Sequence, residues 1–209
     1  MTLCALRSGG NETGNAIADV LFGDINPSGK LPLSFPHRNE DNPAFLKHRS
    51  ERGRVIYDED VYIGYRFYEK MKKKVAFQFG HGLSYTQFEI KDLHIKDAGA
   101  DIVTTVSVTN TGSVDGAEVV QVYVSQRNPS INRPPKELKA FDKVFLQAGQ
   151  TKQVEIKFSK KSTASFGDED YDSWVMEKDV YEILVGNSSA STPLKGTFEI
   201  LNTSWWGGL

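Results

Sequence analysis

Residues 101–126 read DIVTTVSVTNTGSVDGAEVVQVYVSQ, and two runs within them set the fold class. Ile102, Thr104, Val106 and Val108 alternate with Val103, Thr105, Ser107 and Thr109. That is a period of two, built from β-branched residues. Asn110, Thr111 and Gly112, then Asp115 and Gly116, break the run with residues that tolerate left-handed backbone. A second run follows in Val119, Val120, Val122, Tyr123 and Val124. It is apolar on both faces, which predicts a strand at the centre of a sheet. The stretch therefore predicts two strands joined by a turn, a hairpin. A hairpin alone is marginal in water, so further strands must cover it.

Downstream residues supply them. Phe141–Leu146 and Gln153–Phe158 predict a second strand pair around Ala148, Gly149 and Gln150. In the latter strand Val154, Ile156 and Phe158 alternate with Lys and Glu, giving one buried and one wet face. Tyr181–Val185 and Gly196–Ile200 complete a set of about seven strands, the pattern of a β-sandwich. Asn128–Pro135 carries three prolines and reads as an extended crossing. The tail Ser204–Leu209 is short and apolar, either docked on a neighbour or disordered.

Upstream the pattern changes near Phe88–Ile95. Asn11–Gly23 predicts a helix, with Ala16, Ile17, Val20 and Leu21 on one stripe, Thr13 as N-cap and Gly23 as C-cap. A turn over Asp24–Gly29 and a short strand over Lys30–Phe35, ended by Pro36, follow. His37–Gly53 reads as an irregular loop. Val55–Tyr68 is rich in aromatics, with Arg66 among Tyr57, Tyr62, Tyr65, Phe67 and Tyr68. Two readings stand: rings that stack on a sugar or base, or one half-buried strand packed on a neighbouring domain, which is preferred. Met71–Lys74 is a solvated basic turn, and Gly80 and Gly82 mark a tight turn without phosphate-loop spacing.

The chain has 209 residues and a net charge of −2. That length buries a real core, and the charge argues against nucleic acid or an anionic membrane as partner. Cys4 is the single cysteine, so no intrachain disulfide forms. No apolar run approaches a membrane span, and the first ten residues do not read as a signal peptide. Asn-x-Ser/Thr triplets begin at Asn11, Asn187 and Asn202.

The sequence offers no catalytic constellation, no metal-ligand spacing and no cofactor motif. His37, His48, His81 and His94 lack ligand spacing. Paired carboxylates, Asp58 with Glu59 and Asp60, and Asp168 with Glu169, Asp170 and Asp172, have the residue types of acid/base work. Their setting in turns reads instead as solvated surface. If the chain nevertheless proved catalytic, Asp58, Glu59, Asp168 and Asp170 would be the first suspects.

Several motifs in order carry a resemblance. GGNETGNAIADVLFGDINPSGKLPLSFP (9–36) resembles the end of the second domain of glycoside hydrolase family three β-glucosidases of yeast and fungal type. YDEDVYIGYRFY (57–68) is similar to that family's GYR segment, and FGHGLSY (79–85) to its FGHGLSYT signature. VTNTG (108–112), AEVVQVY (117–123) and PKELK (135–139) are similar to its fibronectin type III-like domain. The resemblance implies a mainly β chain. A fibronectin type III-like (immunoglobulin-like) sandwich over 90–209 is preceded, over 1–89, by a helix–strand remnant of an α/β sandwich and a linker. The implied parent activity is hydrolysis of terminal β-D-glucosyl residues, with 57–68 at the domain junction.

The implied catalytic pair does not transfer. The family's nucleophile is an Asp in a Ser-Asp-Trp motif on an N-terminal barrel, and this sequence has no such triplet; Asp172, Ser173 and Trp174 have another order. The acid/base Glu of the family lies upstream of Gly9. The chain alone is therefore expected to be inactive, and the β-glucoside to bind only in a parent whose barrel and α/β domain pack against it. The alternative is a non-catalytic structural or carbohydrate-binding module. Met1–Ser8 departs from the family pattern, the expected mark of a truncated or broken gene. Asp179 stands where the family has a turn glycine. Compartment is not legible.

Overall fold

A computed structural model describes residues 10–47 and 52–207. Cys4, His48 and the divergent start at Met1–Ser8 lie outside them.

Seven strands make the sandwich. β1 (Phe88–Ala98), β2 (Asp101–Asn110) and β5 (Thr151–Ser159) form one antiparallel sheet in the order β1-β2-β5. β3 (Gly116–Gln126), β4 (Glu137–Leu146), β8 (Asp179–Gly186) and β9 (Leu194–Ile200) form the other, in the order β4-β3-β8-β9. The core lies between them. Ile102, Val106 and Val108 of β2 face Val120, Val122 and Val124 of β3, with Ile183, Val185, Phe198 and Ile200 alongside. The period-two alternation of β2 is visible in its burial, every second residue from Ile102 to Asn110 being buried. The sequence expectation of a mainly β fold with about seven sandwich strands holds.

The predicted hairpin does not form. β2 pairs with β1 and β5, whereas β3 pairs with β4 and β8. Residues 111–115 carry the chain across the sandwich rather than back along one sheet. Asn110 fixes this crossing. Its buried amide donates to the carbonyls of Val114 (2.8 Å) and Leu146 (3.3 Å), and its Oδ1 accepts from the Thr86 hydroxyl at 2.6 Å. The pair predicted over 141–146 and 153–158 is likewise split, β4 to one sheet and β5 to the other. The strands predicted at 181–185 and 196–200 are present as β8 and β9, which pair with each other.

A third sheet comes from β6 (Ser165–Asp168), β7 (Ser173–Met176) and β10 (Ser204–Trp206), after a one-turn helix, Lys160–Ala164. The apolar tail is thus docked through Ser204–Trp206, which pairs with β7. Asp179 opens β8, and its carboxylate accepts from the N–H groups of Asn128 (2.6 Å) and Val180 (2.8 Å). That position holds a carboxylate hydrogen-bonded to two strands' ends, not a left-handed turn.

Ahead of β1, the predicted helix forms as α1, Thr13–Phe22. Gly23 caps it in left-handed backbone, donating to Asp19 O. Thr13 is not the N-cap. It is the first helical residue, and its hydroxyl donates to Gly10 O at 2.7 Å. The strand predicted at 30–35 is reduced to a single bridge, Phe35 with Phe77, supported by hydrogen bonds between Leu31 and both His81 O and Gly80 N. The strand predicted at 55–68 is absent. Its second half is a short helix, α2 (Tyr65–Lys70), entered through Gly64 at φ 55°. Glycine permits that backbone, and no β-branched residue follows to oppose a helix.

Candidate functional site

The described residues group their charged and aromatic side chains where the upstream segment crosses β3 and β4. The reason is the second face of β3. Val120, Val122 and Val124 point inward, so Gln121 and Tyr123 point out, yet both are buried. Upstream residues cover them. Tyr65 of α2 stacks on Phe79 (4.7 Å between ring centres) and meets Tyr123 edge-on at 5.9 Å. Gln121 donates to Gly80 O and Asn187 O and accepts from the Tyr123 hydroxyl at 2.6 Å. A β3 that is apolar on both faces is thus a central strand under a lid of its own chain. Burial, with Tyr65 and Glu69 adding to it, pushes the Tyr123 hydroxyl far up, so it stays a neutral donor.

Charge locks the lid. The Glu137 carboxylate meets Arg66 (3.0 Å), Lys139 (3.2 Å) and Arg133 (3.4 Å). Burial alone would raise its pKa, but Lys139, Arg66 and Arg133 outweigh burial and hold it below the ordinary value. Burial lowers Lys139, partly offset by Glu137. The Tyr65 hydroxyl accepts from Leu138 N at 2.8 Å. Beside it Lys136 bridges to Glu69 (3.3 Å) and donates to Ser189 O. Burial raises Glu69 against the pull of Lys136 and Ser189.

A second tether sits at the other end. Asn26 Oδ1 accepts from Ser84 Oγ (2.9 Å) and Tyr85 N (2.8 Å), while Nδ2 donates to Asp115 O at 2.9 Å. Lys30 pairs with the buried Glu118 at 2.6 Å. Gly82 is required here by close approach: an added Cβ would strike the Gly29 carbonyl. Gly80 combines left-handed backbone with a side-chain neighbour, Gln121, where its Cβ would go.

The carboxylate runs stay apart from this network. Asp58 pairs with Lys47. Asp58 and Glu59 border a shallow cleft of about 400 Å³ with Tyr62, Phe67 and Asn132. Asp168 and Asp170 share the turn between β6 and β7, where Asp170 N donates to Asp168 Oδ1 at 3.1 Å. The two runs lie on separate elements. His37 is exposed, His81 packs on Phe77, and His94 lies on β1. Among the described residues no three His, Cys, Asp or Glu side chains gather as a metal set.

Sequence reasoning placed the aromatic segment at a junction but gave it a strand. It gave no role to Asn26, Glu118, Arg133 and Glu137. Their partners lie up to 89 residues away, beyond any local period. Residues 135–139 drew attention only as part of a motif.

Comparison with known proteins matches the same two regions. Residues 3–85 match the glycosyl hydrolase family 3 C-terminal domain, and 118–189 the fibronectin type III-like domain. A protein of Aspergillus fumigatus named "Probable beta-glucosidase I" is 53% identical over 96% of this chain and 25% of its own length. A solved β-glucosidase from Kluyveromyces marxianus, in complex with glucose, superposes with a TM-score of 0.93 at 49% identity, over 96% of this chain and 24% of that one. β-Glucosidase 3B of Thermotoga neapolitana gives 0.88 at 40% identity, over 94% and 28%. The chain spans about a quarter of the length of the curated relatives it matches.

Proposed function

The chain belongs to glycosyl hydrolase family 3, and from that premise we propose that it buttresses a β-glucosidase that releases terminal β-D-glucosyl residues. The observation that carries this reading is 53% identity across nearly all of the chain to a protein named as a β-glucosidase. Residues 1–89 would complete the α/β domain and linker, and 90–209 the fibronectin type III-like domain. Retaining hydrolysis needs two carboxylates about 5 Å apart across the scissile bond. In this reading both come from the part of the enzyme that the chain does not span.

The apolar surface supports a role as buttress. α1 buries no residue fully, and Leu21, Phe22 and Ile25 stand exposed on or just after it, Phe22 by 85%. Leu46, Ile56 and Tyr57 are also exposed. Large apolar side chains left this exposed fit a surface that another protein face covers. The rest of such an enzyme is the proposed occupant.

A chimera tests the proposal. This chain would replace the corresponding quarter of the Kluyveromyces marxianus enzyme, with hydrolysis of p-nitrophenyl β-D-glucoside as readout. The expected result is a folded chimera that hydrolyses the glucoside, while the chain by itself shows no turnover. A folded but inactive chimera, or clear turnover by the chain alone, would overturn the proposal. In the second case Asp58, Glu59, Asp168 and Asp170 would be substituted first.

A further inference from the structure

Between α2, the basic turn that follows it and the β8–β9 connection lies a cleft of about 420 Å³. It lies within the size range of pockets that bury small molecules, roughly 300–1,000 Å³. Ser34, Tyr65, Tyr68, Glu69, Gln78 and Ser189 line it. None of these served the proposed hydrolytic reading, and the inference below stands or falls separately from it.

Two observations indicate a ligand. Ser34 is 92% buried by its 8% exposure, and its hydroxyl has no hydrogen-bond partner. Glu69 Oε1 is also buried with no partner within hydrogen-bond distance, although Oε2 meets Lys136 and Ser189 lies near enough to pull the carboxyl's pKa down. Buried polar atoms are ordinarily satisfied, and one left unmade costs about 1–3 kcal/mol. Here the Ser34 hydroxyl is the fully unpartnered group, and it lines the same cleft as Glu69.

The chemistry of the wall selects the ligand class. A hydroxyl can donate or accept, and a carboxylate oxygen accepts. Gln78 adds an amide, and Tyr65 and Tyr68 add ring surface. A ligand whose groups each donate and accept, on a frame with apolar C–H faces, satisfies that mixture. At its own end of the cleft the Glu69 oxygen disfavours an anion. His37, Lys72, Lys73 and Lys74 also border the cleft, Lys73 being tied to Asp41 at 2.8 Å, so phosphate is the competing ligand that the test must include.

We propose that this cleft binds a neutral polyhydroxylated ligand of one or two sugar rings, held by Ser34, Glu69 and Gln78 against Tyr68.

The test is a titration of the ¹⁵N-labelled full chain with D-glucose, followed by amide chemical shifts, and a parallel titration with inorganic phosphate. The expected result is saturable shifts at Ser34, Glu69, Gln78 and Ala190 with a Kd on the order of millimolar. Ser34→Ala removes one small polar group and keeps the fold. It is expected to weaken glucose about tenfold while resonances elsewhere superimpose. Glu69→Gln, which preserves shape, serves as the second variant and is expected to weaken glucose as well. The proposal is overturned if glucose gives no saturating shift at these amides up to about 100 mM. It is also overturned if phosphate binds there more tightly, or if both variants leave the glucose Kd unchanged.

Discussion

Glu137 holds three cations at once, and its own side chain is only 15% exposed. Removing its charge leaves Arg66, Lys139 and Arg133 facing one another. Glu137→Gln is therefore expected to lose on the order of 2–3 kcal/mol at neutral pH, measured by urea unfolding. That is below the 3–5 kcal/mol of a fully buried pair, because Arg66 is 30% exposed. The pH dependence has a definite sign. The native carboxyl titrates below its ordinary value of 4.5, so its contribution is complete above that value. It is lost as pH falls through the lowered native value, and the variant should show a shallower acid slope there. Glu69 runs the other way, its raised pKa favouring the folded state below 4.5 and ceasing to do so as pH rises through the native value. Gly82→Ala is expected to cost about 1–3 kcal/mol, since its Cβ meets backbone that cannot rotate aside. An unchanged denaturation midpoint would refute the close-approach account. Gly82 was legible as a turn residue, but its reason was not: the carbonyl it accommodates belongs to Gly29, more than fifty positions away.

At the scale of elements, strand existence was legible and strand partnership was not. Period-two alternation reports that one face is wet and one dry. It carries no information on which neighbour supplies the ladder, so β2 and β3 were read as one hairpin although they belong to opposite sheets. Asn110 is the device that separates them, and its burial is complete. Asn110→Ala would strand the carbonyls of Val114 and Leu146 and the Thr86 hydroxyl. A loss of about 3 kcal/mol or more is expected, from roughly 1–3 per orphaned group, by thermal unfolding. The aromatic segment failed as a strand for a different reason. Six residues make a helix too short to persist alone, so α2 exists through docking rather than propensity. Tyr65→Phe tests that dependence. Leu138 N loses its acceptor, and stability should fall by about 1–3 kcal/mol. Hydrogen exchange at Leu138 should accelerate, and an unchanged rate would show that Tyr65 is not its protecting partner.

At the scale of the molecule, the two halves are held differently. The sandwich has a continuous apolar core. The part ahead of β1 has tethers: Asn26 to Asp115, the Tyr85 hydroxyl to Val20 O at 2.5 Å, Lys30 to Glu118, and the ring contacts of Tyr65. Hydrogen exchange should therefore rank them. Amides of α1 are expected to exchange many-fold faster than those of β2 and β3, because no α1 side chain is fully buried. Equal protection across both parts would contradict this. The resemblance of motifs in order carried the architecture where local pattern could not, which is why the family was legible and the charge network was not.

The lid over β3 also has a history each time the chain is made. Tyr65 leaves the ribosome 73 residues before Leu138, the group it must reach. At about 5–20 residues per second that gap is roughly 4–15 s. During it, Tyr65 and Phe79 have no Tyr123 surface to rest on, while nascent sandwich strands are still emerging. The segment thus waits for a surface that is synthesised after it, and translation speed across β3 and β4 governs how long its rings stay open to chaperones.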